Sequence, residues 1–269
     1  MKVNFYKPKN NILKKFIEGY YFIADNQSSK TTKYLTFPNN FCILSISYNS
    51  EIILEENRIF VTPSTQNKVL ADLVFRYNYP IEVVCESPIN EITIYFKPLG
   101  INYFVNDLDK IFTKRKSIAD FNPFSDFKEK MKQIFNIENR EQQIELLENY
   151  WVSKFQPKDL SLMEDILSDV EKDMKIEEIA NKNNLSRQYI NKLFIKNIGK
   201  TSSEYRKIYR FRNALINQKK SKSLTDLSHG NLFFDQSHFI KDFKELTTIK
   251  PSAFFKNVDT NKENIWLFV

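Results

Sequence analysis

Apolar and polar residues alternate at a spacing of two along much of the first 112 residues. Beyond about residue 160 the apolar ones recur at three and four. The first rhythm is that of half-buried strands and the second that of amphipathic helices. Phe41–Tyr48, Glu51–Leu54, Asn57–Thr62, Ile81–Cys85 and Glu91–Phe96 are strand-like runs parted by Asn, Pro and charged residues. That spacing predicts an antiparallel sandwich or a cupin-like barrel. Leu13, Phe16, Ile17 and Tyr20 share one stripe, which predicts a short helix ahead of the strands. Phe124, Phe127, Met131, Ile134 and Phe135, then Ile144, Leu147 and Trp151, carry the helical period through a middle segment. Gln156-Pro157 ends it, because proline turns its predecessor away from helix. The expected fold is α+β: a β-rich domain over 1–112, a helical connector over 113–157, an all-helical domain over 158–258 and a tail over 259–269.

The helical domain repeats itself. At an offset of 48, Ile176, Ile179, Ala180 and Leu185 align with Leu224, Leu227, Ser228 and Phe233. At an offset of 49, Ile190, Lys192, Phe194, Ser203, Tyr205 and Lys207 align with Phe239, Lys241, Phe243, Ser252, Phe254 and Lys256. Two copies of one structural unit follow. In the first, a short helix around Ile176–Ala180 meets a turn at Asn183-Asn184, and Ser186 caps a helix over 187–196. In the second, Ser223 caps a short helix and Asp235 caps one over 236–246. Thr201-Ser202-Ser203-Glu204 has the form of a capping box and opens a long helix through about Asn217. Lys250-Pro251 starts a last one. Each copy is a helix-turn-helix, with Ile190, Leu193 and Phe194 inward in one and Phe239, Phe243 and Leu246 inward in the other.

Charge sharpens this picture. Residues 182–258 hold 16 Lys or Arg against 5 Asp or Glu, whereas residues 1–181 hold 23 against 26. A basic block on a duplicated helix-turn-helix points to duplex DNA, although solvated amphipathic helices would carry similar residues. Gln188, Asn191, Lys192, Gln236, Ser237 and Lys241 face outward, and of these residue types Gln and Asn can contact adenine bidentately while Lys can pair with guanine or a phosphate. Arg187, Lys196 and Lys244 are candidate phosphate contacts by position and charge. Two such helices on one arm suit successive major grooves, roughly 34 Å apart.

These residues resemble the C-terminal domain of AraC/XylS-type transcription regulators. The match runs through Ile179–Ser186, Leu193-Phe194, Ile198-Gly199, Arg210 and Ala214, and most specifically through Phe233–Phe239, Phe243-Lys244 and Pro251–Phe254. It implies a double helix-turn-helix that reads DNA through 188, 191, 192, 236, 237 and 241, with RNA polymerase as a further partner. The pattern is broken where Leu232 and Thr248 stand in place of Gly and Ser202 in place of Pro, and the small residue after Leu227 is Ser228. A side chain at a positive-φ site is strained, so the second turn is expected to differ in geometry. Tyr34–Asn40 and Ile92–Gly100 more faintly resemble the sensor or dimerisation domains of the same family.

Other chemistry has little to work with. Four glycines assemble no phosphate-binding loop, and no cofactor is expected. The two histidines, His229 and His238, both lie in the helical domain, so the β-rich half has no imidazole for a metal, and none is expected. Cys42 and Cys85 read as buried free thiols. Glu51, Glu55, Glu82, Glu86 and Glu91 read as exposed carboxylates at strand edges, with pairing across a cavity the alternative. His238 suits packing or a phosphate, and His229 suits a surface turn. Phe41, Leu44, Tyr48, Phe75, Tyr77, Tyr95 and Phe96 are the candidate lining of a pocket for a small apolar or aromatic effector, or else plain core. Leu146, Leu147, Tyr150 and Trp151 give the connector a face for a homodimer or for the barrel. No apolar leader follows Met1 and no membrane-length run occurs, so a cytoplasmic protein is expected. The rival readings are an interaction module with weak or non-specific DNA binding, and an enzyme fused to a DNA-binding appendage.

Overall fold

The computed structural model describes residues 3–25, 31–218, 221, 223–257 and 267–268. Strand β1 (Val3–Tyr6), helix α1 (Leu13–Phe16) and strand β2 (Ile17–Asp25) come first. They lead to β3 (Thr32–Thr36), β4 (Cys42–Tyr48), β5 (Ser50–Leu54), β6 (Arg58–Pro63), β7 (Val69–Val74), β8 (Ile81–Cys85) and β9 (Ile89–Phe96). Helix α2 (Leu108–Phe112) and the short β10 (Ser117–Ile118) follow. One sheet runs β1-β2-β9-β4-β7-β10 and is antiparallel throughout. The second runs β3-β8-β6-β5, with a parallel β6–β8 pair. It is extended beyond β3 by β11 (Leu267–Phe268), which the sequence left in the tail. The sheets face each other, because residues of both line one cavity. The predicted first helix is shorter than its stripe: Ile17 and Tyr20 belong to β2, a short apolar run that either period fits.

Strand parity divides the first sheet's two faces. Tyr20, Phe22, Leu44, Ile46, Leu73, Ile92, Ile94 and Phe96 point to a core roofed by helices α3 (Phe127–Phe135) and α4 (Arg140–Ser153). Trp151 seals it, edge-on to Phe96 at 5.0 Å and to Phe104 at 5.6 Å. Residues 113–157, expected as a connector, therefore share this core; Leu147, Tyr150 and Trp151 pack inward while Leu146 is exposed.

The helical domain comprises α5 (Ser161–Glu171), α6 (Ile176–Lys182), α7 (Arg187–Ile198), α8 (Ser202–Asn217), α9 (Leu224–Gly230), α10 (Gln236–Thr247) and α11 (Pro251–Asn257). It has two cores, and the N-terminal half contributes to both. Leu99 joins Ile166, Ile179, Ile190 and Phe194 in the first unit. Phe37 joins Phe211, Phe239, Phe243 and Phe254 in the second, its ring edge-on to Phe254 at 5.0 Å.

Candidate nucleic-acid interface

The two units share one set of backbone devices. Helices α6 and α9 are related by 48 residues, and α7 and α10 by 49. Asn183 closes α6 by donating its amide to the Ile179 carbonyl at 2.8 Å, and Asn231 does the same to Leu227 at 2.7 Å. Each turn is tied by Leu185 N to the Ala180 carbonyl and Phe233 N to the Ser228 carbonyl. The turn residues Asn184 and Leu232 both have positive φ, 54° and 65°. Ser186 accepts from Tyr189 N at 3.1 Å and Asp235 from His238 N at 2.7 Å, the predicted caps of α7 and α10. Gly199 and Thr248 end these helices at φ 77° and 61°. The second turn was expected to differ, but Leu232 and Thr248 hold the same left-handed backbone that Asn184 and Gly199 adopt. The side-chain clash is tolerated, at about 1–2 kcal/mol per residue.

The one-residue change of offset falls between Phe233 and Asp235, so Phe234 has no counterpart in the first unit. It is 87% exposed, standing immediately before Asp235, the cap of α10. In the sequence, the slip from 48 to 49 is the one signal that marks Phe234.

Long helix α8 contacts α7, α9 and α10 and so carries both units. Its capping box forms as predicted: Thr201 Oγ1 accepts from Glu204 N, and Thr201 N donates to Glu204 Oε2 at 2.8 Å. Arg187, Gln188, Lys192, Ser237, Lys241 and Lys244 are exposed on α7 and α10. Among the described residues, Arg187, Lys192, Lys241 and Lys244 form no ion pair. Gln236 is half-buried, its Oε1 accepting the Thr225 hydroxyl at 2.9 Å. Asn191 accepts from Ser202 N at 3.1 Å, so its carbonyl oxygen caps α8 rather than facing outward. Lys196 lies 3.9 Å from Asp109 of α2. His238 sits 3.2 Å from Asp242 and edge-on to Phe233, a packing role. The side chain of His229 lies outside the described residues.

Much of the basic block is consumed internally. Arg210 and Arg206 meet Asp173 at 2.6 and 3.9 Å, Lys182 meets Asp169 and Lys207 meets Glu245. The cations left on the α7 and α10 faces are fewer than the net charge suggested, and more localised.

The first unit is anchored to the sheets. Lys200, 1% exposed, donates to the Phe75 carbonyl, and burial lowers its pKa to about 8. Arg76 Nη2 and Asn78 Nδ2 reach Glu204 Oε1 at 2.9 and 3.0 Å. Although burial opposes ionisation, hydrogen bonds from Thr201, Asn78 and Arg76 hold the Glu204 carboxyl down at about 2. Asn102 donates to the Asn197 carbonyl at 2.8 Å, and Asn40 to that of Tyr205 at 3.0 Å. A Cβ on Gly199 would stand 2.5 Å from the Phe75 ring.

Between the sheets lies a cavity of about 100 Å³. Tyr77 and Tyr95 line it, as the sequence suggested, and Phe41 packs behind Tyr95 at 5.7 Å. Leu44, Tyr48, Phe75 and Phe96 do not: they face the helix-roofed core. The reason is parity in a sheet covered on both faces, where these four take the helix side. The cavity parity is marked instead by Ser45, Asp72, Glu91 and Thr93. Glu91 is thus not an exposed edge carboxylate but 7% exposed and inward, whereas Glu51, Glu55 and Glu86 are exposed and Glu82 is half-buried against Arg58. Cys42 and Cys85 are buried free thiols, burial pushing both up to about 12. No group of three or more metal-ligating side chains occurs among the described residues. Among them, too, no helix is long and apolar enough to cross a membrane.

Residues 179–257 match the family model described as a helix-turn-helix domain. The class it defines is the DNA-binding transcription regulator. No curated protein matches the chain. Solved structures of ToxT from Vibrio cholerae are similar to it: one at 14% identity and a TM-score of 0.42, covering 95% of this chain and 97% of that one. The wild-type ToxT bound to an unsaturated fatty acid has 15% identity and a TM-score of 0.46, covering 86% and 96%. A complex of ToxT with (E)-4-(8-methylnaphthalen-1-yl)but-3-enoic acid has 13% identity and a TM-score of 0.41, covering 95% and 97%.

Proposed function

We propose that the protein is a sequence-specific transcription regulator in which α7 and α10 read successive major grooves and the sheet cavity receives a controlling small molecule. The observation that carries the reading is the duplicated backbone: two capped helices on one carrier helix, each with exposed unpaired cations and polar side chains. Gln188, Lys192, Ser237 and Lys241 then meet base edges, with Gln236 and Asn191 contributing through the groups not spent on Thr225 and Ser202. Arg187 and Lys244 meet phosphates. Lys196, set against Asp109, serves the domain contact at least as well as a phosphate. Phe234 adds an apolar contact at the edge of the second groove.

Control from the cavity is supported by connectivity. Tyr77, in its lining, donates to the Phe37 carbonyl at 2.7 Å and accepts from Asn39 at 2.8 Å. Phe37 is a core residue of the second unit. Arg212 of α8 stands close enough to Tyr21, Tyr77 and Tyr95 to share their electrostatics. A ligand that moves Tyr77 therefore acts on helices that hold DNA. RNA polymerase remains a partner by resemblance, and a homodimer through the connector keeps only Leu146 as an exposed apolar contact.

Selection of bound sequences from a random oligonucleotide pool tests the reading. One enriched motif, with affinity falling steeply as salt rises, is the expected result. Binding that ignores sequence would favour the interaction-module alternative, whose motive, the non-glycine residues at 232 and 248, is weakened by the conserved backbone there.

A further inference from the structure

The cavity has two unlike walls. The second sheet contributes an apolar wall of Ile52, Leu54, Ile59, Val61, Ile81 and Val83 from β5, β6 and β8, with Tyr34 and Thr36 of β3 at its side. The first sheet contributes a polar strip across β9, β4 and β7, in which Thr93 and Asp72 both sit opposite Ser45. Asp72 and Glu91 are 8% and 7% exposed, and neither forms an ion pair among the described residues. Asp72 accepts Asp120 N at 3.2 Å and Glu91 accepts the Thr93 hydroxyl at 2.6 Å. Those bonds leave the two carboxyls facing the apolar wall with no cation acting on either, since Arg212, the guanidinium beside the cavity, acts on Tyr21, Tyr77 and Tyr95 instead. The Tyr21 hydroxyl, on the same lining, is buried with no hydrogen-bond partner.

Uncompensated carboxyls in a mostly apolar cavity are costly, and nothing in the packing requires them: isosteric amides or apolar residues would serve a core better. Burial, and then the nearby Asp72, push the Glu91 carboxyl up, and burial raises Asp72 to about 6. A bound cation would reverse both effects, while a carboxylate would add a third like charge. The volume, smaller than the roughly 150 Å³ cavity that admits benzene, limits the guest to about half a dozen heavy atoms.

We propose that the cavity is a receptor site for a small primary amine with a compact apolar body, its ammonium seated on Asp72 and Glu91 and its carbons against the β5, β6 and β8 wall. This deepens the effector reading above and rests on it only for the consequence, not for the binding. The Tyr21 hydroxyl supplies a further acceptor to the ammonium.

Titration calorimetry on the full chain at pH 7.5 would compare isoamylamine with two close analogues, isoamyl alcohol and isovalerate. The amine is expected to bind at least tenfold more tightly than the alcohol, and isovalerate not at all. Glu91→Gln and Asp72→Asn should each weaken the amine at least tenfold while leaving the alcohol unchanged or tighter; retained alcohol binding shows that the variants are folded. Alcohol binding equal to amine, isovalerate binding best, or amine binding indifferent to both variants would overturn the proposal, as would no binding by any of the three. Gel shifts with and without amine separate the two claims. Amine binding with unaltered DNA affinity sinks control from the cavity but not the ligand class; isovalerate binding that alters DNA affinity does the reverse.

Discussion

The two helix-turn-helix units share a backbone but not a setting. The first ends at Gly199, pressed against Phe75, and is held to the sheets through Lys200, Glu204 and Asn197. The second ends at Thr248, exposed and strained, and meets the N-terminal half through Phe37. Equivalent positions thus obey different rules: at the first unit packing forbids a side chain, while at the second only φ opposes one. The difference teaches that the fold tolerates local strain where no neighbour stands and demands glycine where one does.

The sharpest way to break this comparison is to exchange the residues. Gly199→Val should destabilise the protein by about 3 kcal/mol or more, since both φ and the Phe75 ring oppose it. Thr248→Gly should stabilise it by about 1 kcal/mol, from relief of the left-handed conformation. Denaturant unfolding measures both, and equal signs would contradict the distinction.

Cutting the anchor comes next. Glu204→Ala should cost about 2 kcal/mol, a value discounted for partial exposure of the Arg76 pair. Because the folded pKa of Glu204, about 2, lies below its ordinary value of 4.5, its contribution is complete above about pH 4.5. It is lost as pH falls toward 2. Glu204→Gln should therefore flatten the acid limb of the stability–pH curve, and an unchanged limb would show that the carboxyl is not held down.

Smaller effects belong to the DNA face. Phe234→Ala, at a residue only the second unit has, should weaken binding about threefold to tenfold through lost apolar contact. It should change base preference in one half-site only, as read by competition with single-base variants. Leu232→Gly, mildest of all, should stabilise by about 0.5 kcal/mol, its side chain being partly exposed.

Much of this arrangement was legible in the residues. The caps Ser186, Thr201, Ser223 and Asp235 and the start at Pro251 work through local hydrogen bonds or fixed φ, so the sequence displays them directly. The β-rich half was legible as strands but not as faces. With apolar residues on both parities of β4 and β9, only the sparse polar set of Ser45, Asp72, Glu91 and Thr93 told which side met the cavity. The spending of Arg206, Arg210 and Lys207 on Asp173 and Glu245 was hidden, because those pairings join residues 33 to 38 positions apart. Counting charge therefore overstated the face that meets DNA.

Hydroxyl-radical footprinting on a selected site tests the central claim most directly, comparing the unaltered protein with Lys192→Ala and Lys241→Ala. The account predicts two protected patches on one side of the duplex, about one helical turn apart, each variant losing protection at a different patch. A single patch, or both patches fading together in either variant, would contradict it.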